Sequence, residues 1–142
     1  MNLRTFAVFA VLAITLSIRP LADEPKTNEQ RVRDYVTAFN ERKIDQMLAM
    51  VTDDVQWLTV EGDKISVETA GKEPLRESMT KYFKSTTTKS TLEWVQPSKA
   101  RVAALEKASW ESKSSPRAQS SLSIYEFRGA LIARVYYYPA EK

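Results

Sequence analysis

The sequence predicts an α+β domain, with three early helices packed on one face of a mostly antiparallel sheet that is supplied by an early hairpin and by the second half of the chain. Three observations predict it. Apolar residues recur at helical spacing in three segments before Lys84. The pattern changes to the alternation of strands at VQWLTV (55–60), and no helical period returns after Lys84. The expected order is ααββαβββ.

The first helix opens at TNEQ (27–30), a capping box in which the Thr27 hydroxyl and the Gln30 side chain satisfy backbone donors at a helix start. Val32, Tyr35, Val36 and Phe39 follow as one apolar stripe, which breaks at NERK (40–43). A shorter helix repeats the pattern with Ile44, Met47, Leu48 and Val51. Asp53 and Asp54 then read as a helix stop and turn, because aspartate bonds readily to nearby backbone; the competing reading is an acid/base pair. VQWLTV, the EGDK turn with Gly62 and ISVET form a hairpin. In GKEPLRESMTKYFK, Pro74 is tolerated in the first turn of a third helix that carries Leu75, Met79, Tyr82 and Phe83 on one side. STTTKST is a loop, and TLEWVQP, RVAALEKASW, SLSIYEF and ALIARVYYYP are strand-like. They are broken by a polar loop, ESKSSPRAQS, and by a turn at Arg128 and Gly129.

Ahead of the domain, MNLR carries a positive charge and FAVFAVLAITLSI (6–18) is 13 uncharged residues, short of the roughly 20 that span a bilayer. Residues 1–22 are therefore expected to be an export signal peptide, and residues 23–142 the single domain, periplasmic or secreted. Cleavage after Ala22 is expected despite Pro20, the alternative being an uncleaved membrane tether. Without cysteine there is neither a lipidation site nor a disulfide. Removing residues 1–22 takes Arg4 and Arg19 and no acid, so 21 basic side chains fall to 19 against 18 acidic ones. That near-neutral balance, with basic residues scattered among acids, argues against nucleic acid as a partner, and no membrane association is expected after cleavage.

A chain with no histidine and no cysteine cannot supply a thiol nucleophile, a Ser–His triad, an imidazole base or a zinc site. Its three glycines form no phosphate cradle, so no cofactor and no metal are expected. Any general acid or base must be Asp, Glu, Lys or Tyr.

The segments YVTAFNERKIDQMLAMVTDDVQW, GKEPLRESMTKYF and YEFRGALIARVYYYP, in this order and spacing, resemble a SnoaL-like domain of the nuclear transport factor 2-like superfamily across residues 27–139. The resemblance implies a cone-shaped roll. A strongly bent sheet would wrap three helices, leave a pocket between them, and dimerise through its outer face. The superfamily includes ketosteroid isomerase, polyketide cyclases, dehydratases and members that only bind or associate, so the fold leaves function open. Laid on this chain, the isomerase's oxyanion-binding tyrosine falls on Tyr35. Its proton-abstracting aspartate falls on Thr59 and its second, neutral aspartic acid on Ser123. Neither replacement can do the same work.

The pocket candidates are accordingly Tyr35, Trp57, Thr59, Glu106, Trp110, Ser123 and Tyr125, with no catalytic residue assigned. Trp57 and Thr59 share a strand face by the period of two. Trp94 and Trp110 are pocket walls or, by default, buried sheet aromatics. Glu106 is expected to face outward, since Arg101 and Lys107 show that its strand admits polar residues; an inward Glu106 could replace the missing base. Tyr136, Tyr137 and Tyr138 must alternate faces, placing at least one tyrosine on the outer surface for homodimer contacts. The expected function is non-catalytic binding of a small apolar ligand. The alternatives are an isomerase or cyclase/dehydratase acting on a small carbonyl compound, with Tyr35 as oxyanion donor and Glu106 as base, and a homodimeric association module whose pocket is filled by its own aromatics.

Overall fold

The computed structural model describes residues 24–113 and 115–140, so the expected export signal lies outside the described residues. Helix α1, Asn28–Asn40, starts on the capping box. The Gln30 amide donates to Thr27 Oγ1 at 3.2 Å and the Thr27 amide to Gln30 Oε1 at 2.7 Å. Its stripe buries Val32, Tyr35, Val36 and Ala38. The chain then reverses through Arg42, whose φ of 61° lies in the left-handed region that costs a non-glycine residue free energy. Its guanidinium offsets that cost by sitting 4.5 Å over the Phe83 ring and donating to the Thr86 and Thr88 carbonyls. Helix α2, Ile44–Ala49, buries Met47 and Leu48.

Strand β1, Val51–Glu61, begins ahead of the expected VQWLTV, so Asp53 and Asp54 lie within a strand and not in a helix-terminating turn. The cause is an irregularity. In the β1–β6 ladder, register jumps from Val51 opposite Ile132 to Gln56 opposite Arg134, so residues 52–55 bulge and both carboxylates project outward. Neither forms an acid/base pair. Asp53 meets Lys72 at 3.0 Å, and Asp54 takes a two-pronged contact from Arg128 at 3.0 and 3.1 Å, surface pairs of small net worth.

Strand β2, Lys64–Ala70, completes the hairpin, and α3, Lys72–Ser85, carries Leu75 into the core. Four strands follow, one more than the order ααββαβββ allows: β3 Lys89–Pro97, β4 Arg101–Trp110, β5 Arg117–Arg128 and β6 Leu131–Tyr138. Each strand-like segment forms its own strand. β5 also absorbs RAQS from the expected loop, because Arg117 to Ser120 pair with Trp110 back to Lys107. Two hairpins close through two-residue connections, Glu61 opposite Lys64 and Arg128 opposite Leu131. Gly62 (φ 59°) and Gly129 (φ 62°) hold the first central position, where a II′ turn demands positive φ.

The strands form one six-stranded bent sheet in the order β2-β1-β6-β5-β4-β3, antiparallel throughout except between β1 and β6. After α3 the chain enters at the far edge and returns by meander, so β6 is placed beside β1 and the helices lie on the inner face. The core joins Val32, Met47 and Leu75 from the helices to Val102, Tyr125 and Val135 from the sheet, each 2 % exposed or less. Burial at this level stabilises by about 1.5–3 kcal/mol per large apolar side chain, and the core thereby fixes the face each strand turns inward.

Trp94 is neither buried nor a pocket wall: it is 49 % exposed. β3 carries one extra residue, Glu93, between Leu92 opposite Glu106 and Trp94 opposite Leu105. Leu92 and Val95 therefore pack against the core while Trp94 turns out.

Candidate functional site

A cavity of about 260 Å³ lies between α1, α3 and the inner sheet face. Its existence follows from side-chain size. Beside Glu106 the inner rows of β4 and β5 carry Ala108, Ser121 and Ser123, too small to reach the helices. Larger rings stand around this gap. Tyr35 and Phe39 come from α1, Tyr82 from α3, Trp57 from β1 and Tyr137 from β6. Tyr35 stacks on Trp57 (centroids 6.3 Å apart, planes at 28°) and meets Tyr125 edge-on at 6.3 Å and 67°.

The polar groups divide into a paired set and two hydroxyls, on the buried residues Tyr35 and Ser123, without a partner among the described residues. Glu106 Oε1 accepts from the Tyr125 hydroxyl at 2.6 Å, and Oε2 from the Ser90 hydroxyl at 2.9 Å. Ser90 is held by Asn40 at the end of α1, which exchanges hydrogen bonds of 2.7 and 2.8 Å with the Ser90 backbone. Ser121 and Tyr137 share a bond of 2.9 Å. The Tyr35 hydroxyl is buried with no partner among the described residues. Burial holds the Tyr35 phenol well above the ordinary tyrosine range, and the nearby Glu106 charge adds to the effect. Tyr125 is raised by burial and then by the Glu106 charge and hydrogen bond. Both phenols therefore remain protonated donors at neutral pH. Among the described residues Glu106 is the single carboxylate of the lining, and none of them that lines it is Lys or Arg.

Chemically, this arrangement offers two hydroxyls, on the buried residues Tyr35 and Ser123, with no partner among the described residues, and one carboxylate already oriented by two hydroxyls. Among the described residues no cluster of acidic side chains could hold a metal ion.

The sequence model for the SnoaL-like domain matches residues 32–135, which takes in most of α1, part of β6, every element between them and the polar groups just described apart from Tyr137. The chain belongs to the SnoaL-like domain family. No curated protein matches it. Among solved structures, this SnoaL-like domain is similar to an uncharacterised cystatin-fold protein from Novosphingobium aromaticivorans, with a TM-score of 0.69 at 20 % identity, covering 80 % of this chain and 98 % of the other. It is also similar to a hypothetical protein of ketosteroid isomerase-like fold from Catenulispora acidiphila, solved in complex with trimethylamine (TM-score 0.67, 13 % identity, 80 % and 88 % covered). A third is an epoxide hydrolase of M. tuberculosis (TM-score 0.64, 13 % identity, 77 % and 79 % covered). At such identities the likeness is one of fold, the bent-sheet cone of nuclear transport factor 2-like proteins.

Of the seven residues singled out in the sequence of this SnoaL-like domain, Tyr35, Trp57, Glu106, Ser123 and Tyr125 line the one cavity. Glu106 faces inward, contrary to expectation. Arg101 and Lys107 occupy odd positions, as exposed side chains, and by the period of two they turn Glu106 onto the face of Val102 and Ala104. Thr59 and Trp110 do not line the cavity. Thr59 is a short side chain two residues nearer the hairpin turn, and the rings of Trp57 and Tyr137 supply the wall on that side. Trp110 continues the inward row of Glu106 and Ala108 but stands beyond the cavity, in a separate recess with Thr87, Lys89 and Arg117.

Sequence reasoning missed Ser90, Ser121 and Tyr137. Ser121 shares the inward alternation of Ser123, and Tyr137 is the middle member of the tyrosine run; both signals were present. Ser90 lay in an expected loop, and only the pairing of Ser90 with Ala108 shows it to be a strand residue beside Glu106.

Proposed function

We propose that this SnoaL-like domain binds, without transforming it, a small and largely apolar molecule that carries one acceptor oxygen. The observation that supports the reading is the Tyr35 hydroxyl, buried and unpartnered among the described residues, on a residue that lines a cavity with five further aromatic rings. A buried donor left unpaired costs about 1–3 kcal/mol, and a ligand oxygen would recover that cost. Both oxygens of Glu106 already accept from protein hydroxyls, and Tyr35 bonds to neither, so the pairing of oxyanion donor and free base is not assembled.

Calorimetric titration with cyclohexanone and with methylenecyclohexane, the same shape without the acceptor, tests this. Cyclohexanone should bind about tenfold tighter, the upper range for one hydrogen bond, and Tyr35→Phe should erase the difference. Equal affinities in the unsubstituted protein would overturn the reading.

A second reading, an isomerase or cyclase/dehydratase acting on a small carbonyl compound, is favoured by the shared cavity of Tyr35 and Glu106. In it Tyr35 is the oxyanion donor and Glu106 the base; a Glu106→Gln variant with full turnover would discard it. Export through residues 1–22 and self-association through the outer sheet face complete the proposal. Support for the latter is an apolar row in register across four strands, Trp94–Leu105–Leu122–Tyr138, on the convex side.

A further inference from the structure

Resting on the proposed binding at this cavity, we infer that its ligand is a small organic cation, a tertiary or quaternary alkylammonium carrying one hydroxyl or carbonyl oxygen. The charge inventory points that way. Among the described residues Glu106 is the single carboxylate of the lining, and no Lys or Arg forms an ion pair with it. Lys107, its sequence neighbour, turns to the opposite face toward Glu93 at 4.0 Å. Tyr125 and Ser90 hold the two carboxylate oxygens by neutral hydroxyls, which orient the charge without cancelling it.

The wall is of the matching kind. Six aromatic rings line the cavity: Tyr35, Phe39, Trp57, Tyr82, Tyr125 and Tyr137. The negative face of such a ring attracts a cation within about 6 Å, and alkylammonium groups are the ligands that aromatic cages of this kind select. An alkylammonium head also places apolar methyl groups against those rings; a quaternary head then requires no hydrogen bond, and a tertiary one has a single N–H for the Glu106 carboxylate to accept. Ligands bearing a carboxylate or phosphate are disfavoured twice, by the Glu106 charge and by the absence of any cationic side chain in the lining. The unpartnered Tyr35 hydroxyl then takes the ligand's oxygen. A carboxylate at one place and a free donor at another thus specify a cation with an oxygen attached.

Choline and its neutral isostere 3,3-dimethylbutan-1-ol differ in charge at nearly constant shape, and calorimetry on the full domain compares them directly. Choline should bind at least tenfold tighter, betaine should bind more weakly than choline, and Glu106→Gln, checked as folded by its melting curve, should abolish the preference for choline. Tyr35→Phe should weaken choline and the neutral alcohol alike. Equal binding of choline and the neutral alcohol in the unsubstituted protein would overturn the cation inference while leaving the binding proposal standing. If cyclohexanone, choline and the neutral alcohol all fail to bind, the binding proposal falls and this inference with it. Because the decisive comparison uses the unsubstituted protein, it does not depend on the variant folding.

Discussion

Tyr125 donates to Glu106 Oε1 at 2.6 Å while Tyr35, whose ring lies 6.3 Å from that of Tyr125 in the same cavity, donates to nothing. Two buried phenols a few ångströms apart thus carry opposite energetic signs. Removing the Tyr125 hydroxyl breaks a bond to a charged group, worth about 1.5–3 kcal/mol, whereas removing the Tyr35 hydroxyl deletes an unpaired donor. In urea unfolding at neutral pH, Tyr125→Phe should lower stability by about 1.5–3 kcal/mol. Tyr35→Phe should leave it unchanged or raise it by about 1 kcal/mol. A Tyr35→Phe variant as destabilised as Tyr125→Phe would show that Tyr35 has a partner.

The same two phenols set an alkaline limit. Both are raised above the ordinary range by burial, with Glu106 adding to the shift. The unfolded chain ionises its tyrosines near pH 10, and the folded chain does so only at higher pH. The stabilisation they bring is therefore fully present below about pH 10 and is lost as the pH rises beyond it, by up to about 1.4 kcal/mol per pH unit for each phenol. Stability measured from pH 9 to 11.5 should fall less steeply in a Tyr35→Phe/Tyr125→Phe double variant than in the parent. Parallel slopes would contradict the assignment.

How much of this was legible in the sequence depends on the range of the determining interaction. The capping box at Thr27, most of the helical stripes and the two glycine turns are set within a few residues and stand where the sequence put them, although Val51, read as the end of the second stripe, is the first residue of β1. Most of the errors came from long-range pairing. Asp53 and Asp54 fell inside a strand because β1 bulges against β6, and Trp94 turned outward because β3 holds one extra residue against β4. A bulge reverses faces, and its position depends on a partner strand far away in sequence. Glu106 was misjudged for a different reason: its neighbours' polarity was weighed but their parity was not, and parity alone turns it inward.

Core packing gives a third expectation. Leu75, 2 % exposed, is the single fully buried residue of α3 and joins that helix to the sheet core. Leu75→Ala should cost about 2–5 kcal/mol in urea unfolding, enough to threaten a domain with no disulfide. A cost below about 1 kcal/mol would show that α3 is anchored elsewhere.

For self-association, Leu122 is 37 % exposed at the centre of the outer row and its neighbours Ser121 and Ser123 face inward. The unsubstituted domain should sediment as a dimer at high micromolar concentration, and Leu122→Glu should sediment as a folded monomer. A monomeric parent at that concentration would remove the outer face as an interface.

The central claim is that Tyr35 waits for a ligand oxygen, and the infrared carbonyl stretch of bound cyclohexanone reports on that bond directly. A hydrogen bond from a buried phenol weakens the C=O bond. The stretch should shift to lower frequency on binding to the unsubstituted protein and return toward its value in an apolar solvent in Tyr35→Phe. A bound carbonyl whose frequency is identical in the two proteins would contradict the account.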